Sequence, residues 1–121
     1  MTKSEIAVAT RRLAEEVMEW HLVDLYPPAS PQWVDKDGNH QRYDADGDWS
    51  PFTSIADAVE VAMQFVKDGS YFDIQLRDGF CNLSLLPQGM SVTQYSECDS
   101  DKLAASICKL IAKALDARKG Q

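Results

Sequence analysis

Basic residues, histidine and cysteine are all scarce in this chain, and each shortage narrows what it can do. Twelve Lys and Arg face nineteen Asp and Glu, a formal net charge of −7. Grip on a phosphate backbone needs clustered cations, so no direct nucleic-acid contact is expected, whereas an acidic surface suits solubility or a basic protein partner. The only histidines are His21 and His40, and the only cysteines Cys81, Cys98 and Cys108. No two of these stand at a ligand-pair spacing such as C-x-x-C, so neither zinc nor any other metal is expected. An odd, scattered cysteine count points to a reducing cytoplasm. Cys81 lies in phase with an inward strand face and Cys108 adjoins a helix stripe, where cysteine acts as a small hydrophobe. No glycine-rich phosphate loop occurs, and neither histidine sits in a nucleophile motif, so no catalytic residue, no cofactor and no enzyme activity are expected. Long apolar runs are missing too, and MTKSEIAVATRRLAEE is too charged for a signal peptide, which leaves no membrane role.

What is present is an ordinary folding composition, 45% hydrophobic and 26% charged over 121 residues, enough for one domain spanning 1–121 without staples. Thr2 and Glu5 match a capping box, and Ile6, Ala9, Leu13, Val17 and Trp20 recur at helical spacing, predicting a helix from about residue 3 to 20. Pro27, Pro28 and Pro31 make Tyr26–Pro31 an extended linker. Asp37-Gly38 is a turn signal, so Gln32–Asp35 and Asn39–Tyr43 can pair as a short hairpin. Pro51 and a Thr53 or Ser54 cap start a second helix whose stripe is Ile55, Val59, Ala62 and Phe65 or Val66, widened by Ala58 and Met63, with Gly69 closing it.

Three strands follow. Tyr71–Leu76 alternates with Phe72, Ile74 and Leu76 on one face and Tyr71, Asp73 and Gln75 on the other. Phe80–Leu86 has Cys81, Leu83 and Leu85 in phase, and Met90–Ser96 is predicted to turn Met90 and Val92 inward. Asp99 or Ser100 then caps a last helix that buries Leu103, Ile107, Leu110 or Ile111, and Ala114. Its tail, residues 118–121, is expected to fray. Three helices and an antiparallel sheet, a three-stranded meander plus the short hairpin, define an α+β domain.

The unusual surface is the aromatic and acidic segment 26–50. Trp33, Asp35, Asp37, Tyr43, Asp44, Asp46, Asp48 and Trp49 are its candidate binding residues. Asp35, Asp37 and Asn39, and again Asp44, Asp46 and Asp48, hold positions 1, 3 and 5 of a calcium-type loop. Position 6 is His40 or Trp49 rather than Gly, and position 12 is Asp46 or Ile55 rather than Glu, so turn chemistry accounts for these residues. Trp20, Trp33 and Trp49, with Tyr26, Tyr43 and Phe52, are either clamps packing the segment down or exposed anchors with an acidic rim. A cleft for a small ligand is the remaining option.

Taken in order, Glu16-Val17-Met18-Glu19-Trp20, Trp33-Val34-Asp35 with Asp37-Gly38-Asn39, Trp49-Ser50-Pro51 leading into Ile55-Ala56-Asp57-Ala58, and Ala105-Ser106-Ile107-Cys108-Lys109 resemble the phage "ABA sandwich" domain. The likeness runs from about Glu16 to Leu115. This chain departs from the family where it has Glu19 in place of a glycine and Val59 in place of an aromatic. The resemblance implies an α-β-α layered sandwich and a bacteriophage or prophage origin, and it transfers no catalytic residue. Small size, acidity and missing catalytic motifs then point to an accessory protein in the host bacterial cytoplasm. It would bind a host or phage protein, for instance to inhibit a defence system, and a homodimer is compatible with this. The alternative is a small-ligand binder that sequesters a nucleotide-type signal, with Arg42, Arg77 and the tryptophans as material.

Overall fold

The computed structural model describes residues 2–24, 31–44 and 49–119. It is α+β, with three helices and two three-stranded antiparallel sheets, and the chain divides into two compact units, residues 1–50 and 51–121.

The first unit starts with α1, Lys3–Glu16. Its capping box forms as the sequence predicts: Glu5 N donates to Thr2 Oγ1 at 3.1 Å and Thr2 N to Glu5 Oε1 at 3.4 Å. Pairs at i,i+4 join Arg11 to Glu15 and Arg12 to Glu16, each at 2.7 Å, and support the exposed side modestly. The helix ends four residues earlier than its apolar spacing suggests. Glu19 takes a left-handed backbone with φ 59°, which breaks the helical path and starts β1, His21–Val23. Strand β1 pairs with β2, Gln32–Val34, and β2 with β3, His40–Asp44. The predicted hairpin is therefore real, with Gly38 at φ 87° in its turn, but it gains a third strand. The extended linker predicted at 26–31 lies outside the described residues except for Pro31.

A side chain in the left-handed region costs about 1–2 kcal/mol, which glycine avoids. Glycine loosens the unfolded chain by roughly 0.5–1 kcal/mol in return. The Lys36–Glu19 ion pair, 3.0 Å long between two exposed side chains, offsets little of this strain in water. Glu19→Gly is thus expected to stabilise the protein by about 0.5–1 kcal/mol, read as a higher urea midpoint at unchanged slope. A lower midpoint would show that Glu19 carries no backbone strain.

The second unit begins with α2, Ile55–Phe65, capped by Ser54, whose Oγ accepts from Asp57 N at 3.3 Å. A 3-10 turn over Val66–Asp68 follows and Gly69 closes it at φ 101°. The buried stripe differs from the predicted one. Ala58, Val61, Ala62 and Phe65 face inward, while Ile55 and Met63 are 51% and 64% exposed. Positions 58, 61, 62 and 65 match the i, i+3, i+4, i+7 template better than a stripe begun at Ile55.

Strands β4 (Tyr71–Arg77), β5 (Phe80–Leu86) and β6 (Gln94–Asp99) form an antiparallel meander. Cys81, Leu83 and Leu85 are buried as expected. The third strand starts four residues later than predicted. Met90 N donates to Pro87 O at 3.1 Å, so Met90 closes a turn, and Val92 is 66% exposed. The β5–β6 register pairs Cys81 with Cys98, Leu83 with Ser96 and Leu85 with Gln94, so β6 turns polar or weakly apolar side chains inward. Helix α3, Leu103–Lys119, contacts β5, β6 and α2. Leu103, Ile107, Leu110, Ile111 and Ala114 are all buried, in agreement with the predicted stripe. Leu83, Leu85, Ile107, Ile111 and Val61 are almost wholly enclosed, each worth roughly 1.5–3 kcal/mol of burial.

One polar staple fastens this unit. Arg118 Nη2 donates to Asp68 Oδ2 and, at 2.8 Å, to Ser70 Oγ, which also accepts from Gln88 N at 2.9 Å. Asp68 Oδ1 accepts from Ser70 N at 2.8 Å. The Arg118 guanidinium stacks 4.6 Å from the centre of the Phe65 ring. Partial burial raises the Asp68 pKa, but the Ser70 hydrogen bonds and then Arg118 outweigh it and leave the carboxyl below its ordinary value. A lowered folded-state pKa means the unfolded chain binds more protons in acid. The contribution is therefore complete above the ordinary aspartate pKa and is lost as pH falls through the lower, folded one. Arg118→Ala is expected to cost about 1–2 kcal/mol at neutral pH and to flatten this acid decline. Urea midpoints of both proteins at neutral and acid pH measure it; a parallel decline in the two would contradict the staple.

Candidate functional site

The segment singled out in the sequence is put to structural use where it is described. Trp33 and Trp49 are 6% and 5% exposed. With Trp20 they form a cluster within the first unit, the Trp20 ring centre lying 6.3 Å from Trp33 and 4.9 Å from Trp49. They are clamps, the first of the three readings the sequence leaves open. Phe52, in the second unit, is also buried. Asp35 organises the β2–β3 turn: its Oδ1 accepts from Asp37 N at 3.0 Å and Asn39 N at 2.8 Å, and its Oδ2 faces the Asn39 and Gln41 amides. The Asn39 amide bond, followed after desolvation by that of Asp37, holds the Asp35 carboxyl below its usual pKa. That is the work of an Asx-type turn. Asp37 is exposed beside it. Tyr43 and Asp44 belong to β3 by backbone, but their side chains, and all of Asp46 and Asp48, lie outside the described residues. Among the described residues no three His, Cys, Asp or Glu side chains gather as a metal site.

The meander carries a better candidate on the face that turns away from Cys81, Leu83 and Leu85. Because antiparallel partners share a face, the register lines up Asp73, Ser84 and Tyr95 in one row, Gln75, Asn82 and Glu97 in the next, and Arg77, Phe80 and Asp99 in the third. Tyr95 is 74% exposed, Tyr71, on the same face, 62%, and Phe80 36%. The first two rows line a cavity of about 300 Å³. A wider groove of about 730 Å³ adjoins it through Glu97 and is bounded by Asp78, Phe80, Cys98, Asp99, Lys102 and Ser106.

Hydrogen-bond acceptors dominate this face. Gln75 Nε2 donates to Asp73 Oδ2 at 3.3 Å, and the Arg77 guanidinium lies 5.9 Å from the Phe80 ring centre. Asn82 Oδ1 is covered and has no hydrogen-bond partner among the described residues. Asp73 and Glu97 stand on strands either side of β5 and one row apart, about 12 Å by sheet geometry. Two carboxylates at that spacing, with a phenol ring beside them, suit guanidinium or ammonium groups, which need charged acceptors and a π-face. A phosphate would meet four carboxylates, Asp73, Asp78, Glu97 and Asp99, against two cations, Arg77 and Lys102.

The sequence does show half of this face. Tyr71, Asp73 and Gln75, and likewise Tyr95, alternate outward from the apolar positions. Which of them meet across strands depends on register, and β6 begins at Gln94 rather than Met90, so the rows themselves are not legible from spacing.

The fold and this face together define a small acidic α+β protein with an aromatic and carboxylate-lined sheet surface. Comparison with protein-family models, curated proteins and solved structures finds no match.

Proposed function

We propose that this protein is a non-enzymatic accessory protein of phage or prophage origin that works in the host bacterial cytoplasm by binding a basic protein, host or phage, on the outer face of β4–β6. Inhibition of a host defence system is one form this takes. The resemblance supports the origin, and the net charge of −7 supports a basic partner. The observation that carries the reading is the placing of exposed Tyr95, Tyr71 and Phe80 on the same sheet face as Asp73, Glu97 and Asp99. Exposed aromatic anchors with a charged rim are the usual make-up of a docking surface. No helix among the described residues is long and apolar enough to cross a membrane.

A nucleotide-type ligand is the second reading, favoured by the size of the open groove and by Phe80 and Lys102 on its wall. Its three carboxylates, Asp78, Glu97 and Asp99, oppose phosphate there. Calorimetric titration with an arginine-rich peptide, a glutamate-rich peptide and a nucleoside triphosphate separates the two. Heat from the arginine-rich peptide alone supports the docking face. Heat from the nucleotide alone supports the second reading, and silence from all three contradicts both.

A further inference from the structure

Cys81 and Cys98 are direct cross-strand partners in β5 and β6. Antiparallel partners on one face bring Cβ atoms to about 4.5–5.5 Å. A disulfide needs roughly 3.5–4.5 Å between Cβ atoms and at most about 6.8 Å between Cα atoms. A small closing of two adjacent strands therefore suffices. Both thiols are free, and burial, followed by the neighbouring Cys98, raises the Cys81 thiol's pKa. Access to the two is unequal. Cys81 is 1% exposed, whereas Cys98 is half-buried and lines the wide groove. Cys108 is enclosed in α3 with its Sγ against Pro51 O at 3.2 Å, and burial pushes its thiol up to about 12.

We propose that Cys81 and Cys98 are a redox pair, in which Cys98 reacts from the groove with a low-molecular-weight disulfide and Cys81 resolves the adduct into a cross-strand disulfide. The Cys98 thiolate attacks one sulfur of glutathione disulfide, forming a mixed disulfide and releasing one glutathione thiolate, which takes up a proton. Cys81, deprotonating, attacks the Cys98 sulfur and expels the second glutathione as thiol. The two protein thiols lose two electrons and two protons, and one glutathione disulfide becomes two glutathiones. The bond would tie β6 to β5 and replace one buried and one half-buried S–H group on the inner face.

The reduced full-length protein is incubated with glutathione disulfide, quenched with an alkylating reagent under denaturing conditions and weighed intact by mass spectrometry. The expected product has lost two hydrogens and carries one alkyl group, mapped to Cys108. Cys81→Ser is expected to stop at a stable glutathione adduct on Cys98, and Cys108→Ser to form the same disulfide as the parent. A parent protein that keeps three alkylatable thiols, or that accumulates a lasting glutathione adduct on Cys98, overturns the proposal. The decisive reading is on the unaltered chain, so no variant needs to fold for it.

Discussion

Trp20→Ala is expected to lower the unfolding free energy by about 3–5 kcal/mol, the usual cost of removing a buried large aromatic. Trp20 is 5% exposed and touches both other tryptophans, so its loss leaves Trp33 and Trp49 facing a void in a unit whose sheet has two three-residue strands. Short strands contribute little alone, and the unit depends on side-chain packing to hold them. A loss of this size is a large share of the roughly 5–15 kcal/mol that stabilises a typical domain. Urea titration followed by tryptophan fluorescence measures it. Trp20→Phe keeps most of the volume and is expected to lose less than half as much. A cost below about 1 kcal/mol for the alanine variant would show that the cluster is not what holds residues 1–50.

The second large effect falls on binding and leaves stability alone. Tyr95→Ala is expected to weaken binding of an arginine-rich peptide about 30-fold, the roughly 2 kcal/mol of an aromatic hot spot. Glu97→Lys reverses a charge that borders both cavities and is expected to weaken it at least as much, with the remaining affinity falling as salt is added. Both side chains are exposed, so the unfolding free energy should move by no more than about 0.5 kcal/mol. Asp37→Lys makes the same change in net charge at the exposed β2–β3 turn. If it weakens the peptide as much as Glu97→Lys does, attraction to net charge explains the binding and the sheet face does not.

Much of the architecture is legible where local chemistry decides it. The Thr2–Glu5 capping box, Ser54, Gly69 and the stripe from Leu103 to Ala114 are each specified by residues within one or two turns of each other, and the structure agrees with them. Two of the differences have local causes, the period of the α2 stripe and the Pro87–Met90 turn, and the others are settled by contacts distant in sequence. Trp20 continues the α1 spacing, yet Glu19 turns the chain and sends Trp20 into the tryptophan cluster. Strand β1 has three residues, too few to show alternation. Strand β6 presents Gln94, Ser96 and Cys98 inward, a set that only its pairing with Leu85, Leu83 and Cys81 explains, while Met90 and Val92 imitate a strand inside a turn. The candidate site follows the same rule. The aspartates of 35–48 stand out in sequence because they are close together, and Asp35 proves to be a turn residue. Asp73, Asn82, Tyr95 and Glu97 are dispersed in sequence, and a two-step register across three strands assembles them.

Amide chemical shifts recorded while an arginine-rich peptide is added to the isotope-labelled protein test the docking face most directly. The prediction is a saturating set of shifts centred on Asp73, Gln75, Asn82, Ser84, Tyr95 and Glu97, with residues 35–39 unmoved. Shifts confined to residues 35–48, or spread evenly over every exposed carboxylate, would contradict it.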